Sequence, residues 1–482
     1  MSPQRLPFTV KLSFGIGAIG EAVYLGMFNT FIVIYYNQAI GLSNTLIGLA
    51  IMLALIADAV TDPLVGVLSD RHRSRLGRRH PFLWVAPLPL AVALFAIFNP
   101  PQWLIGQSFA LFAWLAIWTM LSRGFVTLFN VPHLALGGEL SKNQNERSQL
   151  FSANGIFTHI AGSGFAFLAW SFFQGERVRA SDGALVDGQL DPAAYLPVVM
   201  FVGAVILISI WTCAAGTAKA ARGLSQPTEQ RTAFSILFLL KSLLRTLKNR
   251  NYLVLLIGYF FFMISSGIFE TLNVFVQTYF WELEPDQIRW FGLVGVPAAI
   301  SGALAAPLLM KRFDRLPVLL GALAGTVLFA QLVVNLRLLG LMPENGDPVL
   351  LPCLLANWVG QLFCVGLGGV TIFAMIGDIV DENELLTGLR EEGLFYSARA
   401  FFAKASYSFG HFVAGILLDL FVRMPFEAIP GELDETVLTR LGLVAGPMMG
   451  VAALIALFIY AQYRLDRQRH AEILNQIRQA RD

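Results

Sequence analysis

Asp58 and Asp62 lie one helical turn apart inside Thr45–Ser69, a hydrophobic run otherwise free of charge. A carboxylate in hydrocarbon costs roughly 2.5–3.5 kcal/mol on insertion scales, so acids in such runs are functional candidates. Positions i and i+4 share a helix face, and two carboxylates so placed can hold one cation between them. Pro63 cannot donate to the carbonyl of Ala59, which leaves a further oxygen beside the pair and a setting suited to Na⁺. The same two groups repel each other, so the pair can instead retain a proton. A purely structural role, an acid at a helix end paired with an arginine, fits Asp70 better than Asp58.

The elements that must position this pair follow from composition. Of 482 residues, 56% are hydrophobic and only 14% charged, against about 25% charged in soluble domains; the mean hydropathy is +0.63. Twelve apolar segments reach the length that spans a bilayer: about 10–36, 45–69, 82–99, 105–137, 149–173, 196–218, 252–280, 290–310, 316–338, 349–376, 394–421 and 439–463. The expected fold is an all-α integral membrane bundle. Arginines set its orientation: Arg71, Arg73, Arg75, Arg78 and Arg79 fill the 2–3 loop, and Lys219, Arg222, Arg231, Lys241, Arg245, Lys248 and Arg250 the 6–7 loop. By the positive-inside rule both termini are cytoplasmic. Met1–Thr9 carries no signal-peptide pattern. Net charge is +2, which points to no nucleic acid partner, and Cys213, Cys353 and Cys364 form neither a CxxC nor a loop pair.

The charged segment Thr217–Asn251 divides the spans six and six, giving halves 1–218 and 251–482 about a linker 219–250. Within it, Thr232–Leu247 has the spacing of an amphipathic helix lying on a membrane surface. Asp70-Arg71 after the second span is echoed by Asp314-Arg315 after the eighth, which predicts two parallel repeats about a midplane site. Gln174–Tyr195 reads as a polar loop without visible chemistry. No GxxxxGK[ST] motif occurs, and no nucleophile–base or metal-ligand cluster stands out, so neither an ATP-driven pump nor an enzyme is expected.

Asp58-Ala-Val-Thr-Asp62-Pro-Leu-Val-Gly66, then Ser69-Asp70-Arg71 and Arg75-Leu-Gly77-Arg78, resembles the glycoside–pentoside–hexuronide:cation symporter family of the major facilitator superfamily. So do Asp378-Ile-Val-Asp381-Glu-Asn-Glu384-Leu-Leu-Thr-Gly388, Glu392-Gly393 and Tyr396, and the opening Lys11-Leu-Ser-Phe-Gly15-Ile-Gly17. The resemblance covers essentially the whole chain and implies the major facilitator fold, two six-helix pseudo-repeats, in a cell inner or plasma membrane. It implies cation binding by Asp58 and Asp62 with Thr127 nearby, and a membrane lysine, Lys404, facing the aspartates across a cavity as a charge-pair switch. Thr61 stands where the sodium-using members carry Asn.

The sugar contacts of the melibiose-carrying members are missing here. Ala22, Asn130 and the neighbourhood of Gly155 stand where those members have two aspartates and an arginine, which bind hydroxyls through charge-assisted hydrogen bonds. Candidate replacements are Glu21 and Asn29 on the first span, Arg123, Asn130 and His133 on the fourth, Glu270 and Asn273 on the seventh, Gln361 on the tenth, and Arg399 and Lys404 on the eleventh. Arg123 has a plainer alternative, pairing with an acid to join helices, and His133 a structural one beside Pro132. The resemblance also assigns Asp70, Arg71, Arg75, Arg78, Glu139, Asp378, Asp381 and Glu384 to salt-bridge latches of an inner gate.

The expected protein is a monomeric symporter without cofactor, moving a small organic solute, a sugar or glycoside, with H⁺ or Na⁺ by alternating access. An amphipathic or lipid-like solute, in keeping with the 39 phenylalanines, and an uncoupled facilitator or sensor are the alternatives.

Overall fold

Helix α2 (Asn44–Arg71) shows why these segments fold as they do. Leu53, Ile56, Val60, Leu64 and Leu68 recur every three or four residues and are exposed, while Ile47, Ile51, Ala54, Leu55 and Val65 on the other side are buried. One stripe suits lipid and the other the protein interior, and Asp58 projects from the interior side.

The computed structural model describes residues 6–141, 143–179, 183–222, 246–389 and 391–481. Among them twelve helices are long and apolar enough to cross a membrane: α1 (Phe8–Ala39), α2, α3 (His80–Phe98), α4 (Ser108–Glu139), α5 (Asn145–Phe172), α6 (Pro192–Ala221), α7 (Arg250–Phe280), α8 (Pro285–Phe313), α9 (Arg315–Leu338), α10 (Leu350–Thr387), α11 (Glu392–Val422) and α12 (Glu435–Tyr460). A further helix, α13 (Arg467–Arg481), follows. The amphipathic helix expected over Thr232–Leu247 lies, but for its last residues, outside the described residues.

The tenth helix outruns its apolar segment. That segment ends near 376, but α10 continues through the polar stretch to Thr387 and stops at Gly388. There φ is +71°, and the Gly388 N–H closes on Glu384 O at 2.8 Å, a glycine stop of the usual left-handed kind.

The chain divides into two compact units. One is Met1–Thr232 with Leu283–Gly292 and Met424–Glu432; the other is Ala233–Glu282 with Leu293–Arg423 and Leu433–Asp482. In the first, α1 packs on α5 and α6, α2 on α4, and α3 on α4 and α6. In the second, α7 packs on α11 and α12, and α9 on α10 and α12. There α8 also packs on α10, so closely that a Cβ at Gly302 would strike Phe363 O and one at Gly366 would strike Ala299 O. Helices seven to twelve thus repeat the pairings of one to six, as the two Asp-Arg echoes predict. Corresponding helices even end alike: α1 closes in a π turn at Tyr35–Ala39 and α7 in one at Val276–Phe280.

The polar loop after α5 has more structure than expected. Strands β1 (Glu176–Val178) and β2 (Leu185–Asp187) pair antiparallel, with Glu176 opposite Asp187. The buried Arg179 at the hairpin donates to Glu427 O at 2.9 Å. Buried Gln38 donates to Pro425 O at 3.0 Å and accepts from Ala428 N at 2.9 Å. The segment 424–432 is thereby fastened to the rest of the first unit. Three-residue strands fall below the window in which alternation can be read from sequence.

Candidate functional site

The acid pair of α2 meets a polar face of α4. Arg123, Thr127 and Asn130 follow at intervals of four and three, so they share one side of that helix. Asp58 is 3% exposed, and its Oδ2 lies 3.9 Å from Arg123 Nη1. Thr127 Oγ1 donates to Asp62 Oδ1 at 2.7 Å. Thr61 Oγ1 turns back to Asp58 O at 3.3 Å, so its hydroxyl serves the helix backbone. Arg123 is framed by α1: the Phe28 ring lies 5.3 Å from the guanidinium carbon, and Tyr24 OH bonds Ser122 Oγ, next to Arg123, at 2.7 Å.

Sequence reading left Arg123 between a solute contact and a helix tie. The structure places it against the acid pair itself. Tyr24 and Phe28 were not foreseen. Their signal was their spacing, since Glu21, Tyr24 and Phe28 follow at three and four residues on one face of α1.

One turn along, Asn130 Nδ2 donates to Glu21 Oε1, joining α4 to α1. Asn29, one residue beyond Phe28, is turned roughly 100° from that face. His133 is buried between Phe14 and Phe129, with ring centroids at 4.3 and 4.8 Å. Its Nε2 donates to Phe14 O at 3.0 Å. The histidine thus packs between α1 and α4.

In the second unit Arg399 Nη2 donates to Tyr259 OH at 2.8 Å. Its guanidinium lies between two rings, 4.9 Å from Tyr259 and 4.3 Å from Phe373. Gln361 is buried on α10. Glu270 and Asn273 on α7 and Lys404 on α11 are half-buried, and Ser408 Oγ donates to Lys404 O at 2.5 Å.

The latch residues whose partners are resolved form two clusters, one in each unit. In the first, buried Arg79 is the hub: it donates to Ser69 Oγ at 2.6 Å, Asp70 Oδ1 at 2.5 Å and Glu139 Oε1 at 2.7 Å. Arg78 reaches Glu139 at 3.0 Å, whereas Arg71 and Arg75 are exposed. In the second unit Arg315 meets Asp378 at 2.5 Å. His470 of α13 lies 3.0 Å from Asp381 and 3.5 Å from Asp378. Glu382 accepts from Asn249 and Asn251, each at 2.9 Å. An arginine beyond the second or eighth helix thus reaches an acid at the end of the fourth or tenth. Arg79, Arg315 and His470 were absent from the expected latches; for Arg315 the signal was the Asp-Arg echo itself. Glu384, on the last turns of α10, is half-buried.

Among the described residues no group of three His, Cys, Asp or Glu side chains is placed to hold a metal ion. What the first unit offers is a buried carboxylate beside a fixed guanidinium, and a second carboxylate on a hydroxyl.

Residues 13–467 match the family described as MFS/sugar transport protein. An uncharacterized symporter of Bacillus subtilis (strain 168), YnaJ, is 25% identical over 477 residues, which is 98% of this chain and 95% of that protein. A putative sulfoquinovose importer of Salmonella typhimurium (strain LT2) is 25% identical over 492 residues, 98% and 94% respectively. The crystal structure of nucleoside transporter NupG is alike in fold, with a TM-score of 0.62 at 14% identity over 94% of this chain and 100% of that one.

Proposed function

We propose that this chain, which belongs to the MFS/sugar transport protein family, couples the uptake of a small sugar-like solute to protons by alternating access. Family membership makes it a multi-pass membrane transporter and not an enzyme. The observation that carries the choice of ion is the 3.9 Å approach of Arg123 to Asp58. A unit charge at 4 Å is worth on the order of 4 kcal/mol at an effective dielectric near 20. Arg123 therefore supplies beside Asp58 the positive charge that a bound Na⁺ would supply, and it repels a second one.

A proton is instead taken up at Asp62. The Thr127 hydroxyl donates to the ionised carboxylate at 2.7 Å and can rotate to accept from the protonated one, so both states keep a partner. Proton binding at Asp62 then removes one of the two negative charges of the pair. The polar pair Glu21–Asn130 and the ring-clamped Arg399 are the groups proposed to bind solute hydroxyls. The relative named a putative sulfoquinovose importer supports a sugar-like solute.

The test is solute-stimulated H⁺ movement in proteoliposomes, screened over sugars, glycosides and amphipaths under imposed pH or Na⁺ gradients. Proton flux should appear with one sugar class and vanish in Asp62→Asn. Sodium-driven uptake, or passive equilibration unaffected by Asp62→Asn, would overturn the proposal.

A further inference from the structure

A cavity of about 220 Å³ opens at the arginine-rich end of the first unit, over the Arg79 cluster. At about 30 Å³ for a water's share of liquid volume, it has room for a phosphate group and part of an ester substituent. Four guanidiniums line it: Arg75, Arg78, Arg79 and Arg222.

Their charge is only partly matched. Glu139 is engaged by both Arg78 and Arg79, and Asp70 by Arg79. Arg75 and Arg222 have no acidic partner among the described residues. Four guanidiniums against two carboxylates leave two positive charges facing one cavity.

The backbone holds this arrangement ready. Ser74 Oγ donates to Gly77 O at 2.6 Å and accepts from Leu76 N at 3.2 Å, while Gly77 N donates to Ser74 O at 3.0 Å. Gly77 sits at φ +90°, a conformation that side chains other than glycine rarely adopt. This turn fixes Arg75 on one side and Arg78 on the other. Arg222 arrives from another element, directly after α6.

We propose that this cavity binds a phosphate group, as a phosphate monoester dianion or a phosphodiester. Guanidinium forks match phosphate oxygens bidentately; a monoester dianion also balances the two unmatched charges, and a diester balances one of them. The phosphate comes either from a soluble ester or from the headgroup of an anionic lipid. By the positive-inside rule this end faces the cytoplasm, where both are available. The site is separate from the Asp58–Asp62 pair, and its existence does not depend on which ion or solute the protein carries.

The experiment uses the full chain purified in detergent. Thermal unfolding is followed against inorganic phosphate, with chloride at matched ionic strength as reference. Native mass spectrometry is recorded with phosphatidylglycerol and, as control, phosphatidylcholine. Saturable stabilisation by inorganic phosphate identifies a soluble source, and selective retention of phosphatidylglycerol a lipid source; either supports the proposal. The affinity should fall at least about tenfold, or about 1.4 kcal/mol, in Arg75→Gln/Arg222→Gln. It should persist in Arg73→Gln, which removes an exposed arginine of the same loop that does not line the cavity. Arg75 and Arg222 are exposed, and Arg222→Gln alone provides a second variant should the double one fold poorly. Absence of saturable binding by either probe, an unchanged affinity in the double variant, or an equal loss in Arg73→Gln would each overturn it.

Discussion

Arg123 Nη1 lies 3.9 Å from Asp58 Oδ2, with the Phe28 ring 5.3 Å from the guanidinium carbon. Both charges are largely withdrawn from solvent, at 12% and 4% side-chain exposure. A buried pair of this kind contributes little net stability, because desolvating two ions offsets most of their attraction. The consequence proposed for it is electrostatic selection: the guanidinium is always charged and lies beside the carboxylate that would otherwise attract a metal cation.

Removing that charge should change the ion. On the proposed coupling the wild type should be indifferent to Na⁺, and Arg123→Gln is expected to make uptake Na⁺-stimulated, since the 4 Å repulsion of on the order of 4 kcal/mol is lifted. The measurement is solute uptake under opposed Na⁺ and H⁺ gradients. A wild type already driven by Na⁺, or a variant still driven by H⁺ alone, contradicts the role given to Arg123.

How far this site was legible follows from its parts. Two carboxylates in an apolar run stand out in one dimension, so Asp58 and Asp62 needed only the sequence. Arg123 announced a need for an acid, but which acid depends on how α2 lies along α4. The same limit applies to the arginine loop. A sequence shows five arginines there; that Arg79 turns inward is decided by the Ser74–Gly77 turn and the helix starting at His80. The repeat was legible because Asp70-Arg71 and Asp314-Arg315 recur at equivalent helix ends. The extension of α10 past residue 376 was not, because hydropathy marks where lipid would end and not where the helix does. The hairpin 176–187 escaped because its strands are three residues each.

Thr127 gives a finer test of the ion site. Its hydroxyl bonds Asp62 at 2.7 Å, and a hydrogen bond to a charged group is worth about 1.5–3 kcal/mol. For a proton-coupled carrier, Thr127→Val removes a donor that favours the ionised carboxylate and should therefore strengthen apparent proton affinity, by up to about tenfold, and Thr127→Ser should restore the wild-type value. Ion dependence of initial uptake rates reads this directly. Equal affinities for the valine variant and the wild type would separate Thr127 from the ion.

Arg79 is expected to matter for stability in a way its neighbours do not. Its fork joins Ser69, Asp70 and Glu139 from a buried position, so Arg79→Ala leaves two acids without their common cation. The expected loss is about 2 kcal/mol, toward the middle of the range for hydrogen bonds to charged groups. It should be seen as a fall of several degrees in thermal unfolding of the detergent-solubilised protein. Arg75→Ala, at an exposed position, should leave the unfolding temperature unchanged. Similar effects from both would mean that the hub assignment is incorrect.

Asp187 sets a pH dependence at the other end of the first unit. Burial pushes its carboxyl above the ordinary 3.8; the Gln189 amide opposes this in part, and the acids Glu284, Glu176 and Asp286 reinforce it. A carboxyl raised on folding binds its proton more tightly in the folded protein than in the unfolded one. Its favourable contribution is complete below the unfolded value of 3.8 and is lost as pH rises through the folded value. At neutral pH Asp187 is thus a destabilising charge among other acids. Asp187→Asn keeps the shape and removes the charge, so it should raise the unfolding temperature at pH 7 and flatten the pH profile just above 3.8. Thermal unfolding of wild type and variant across that window decides it. A variant less stable than the wild type at pH 7 would show that the carboxylate is held by a favourable contact stronger than the Gln189 bond of 3.3 Å.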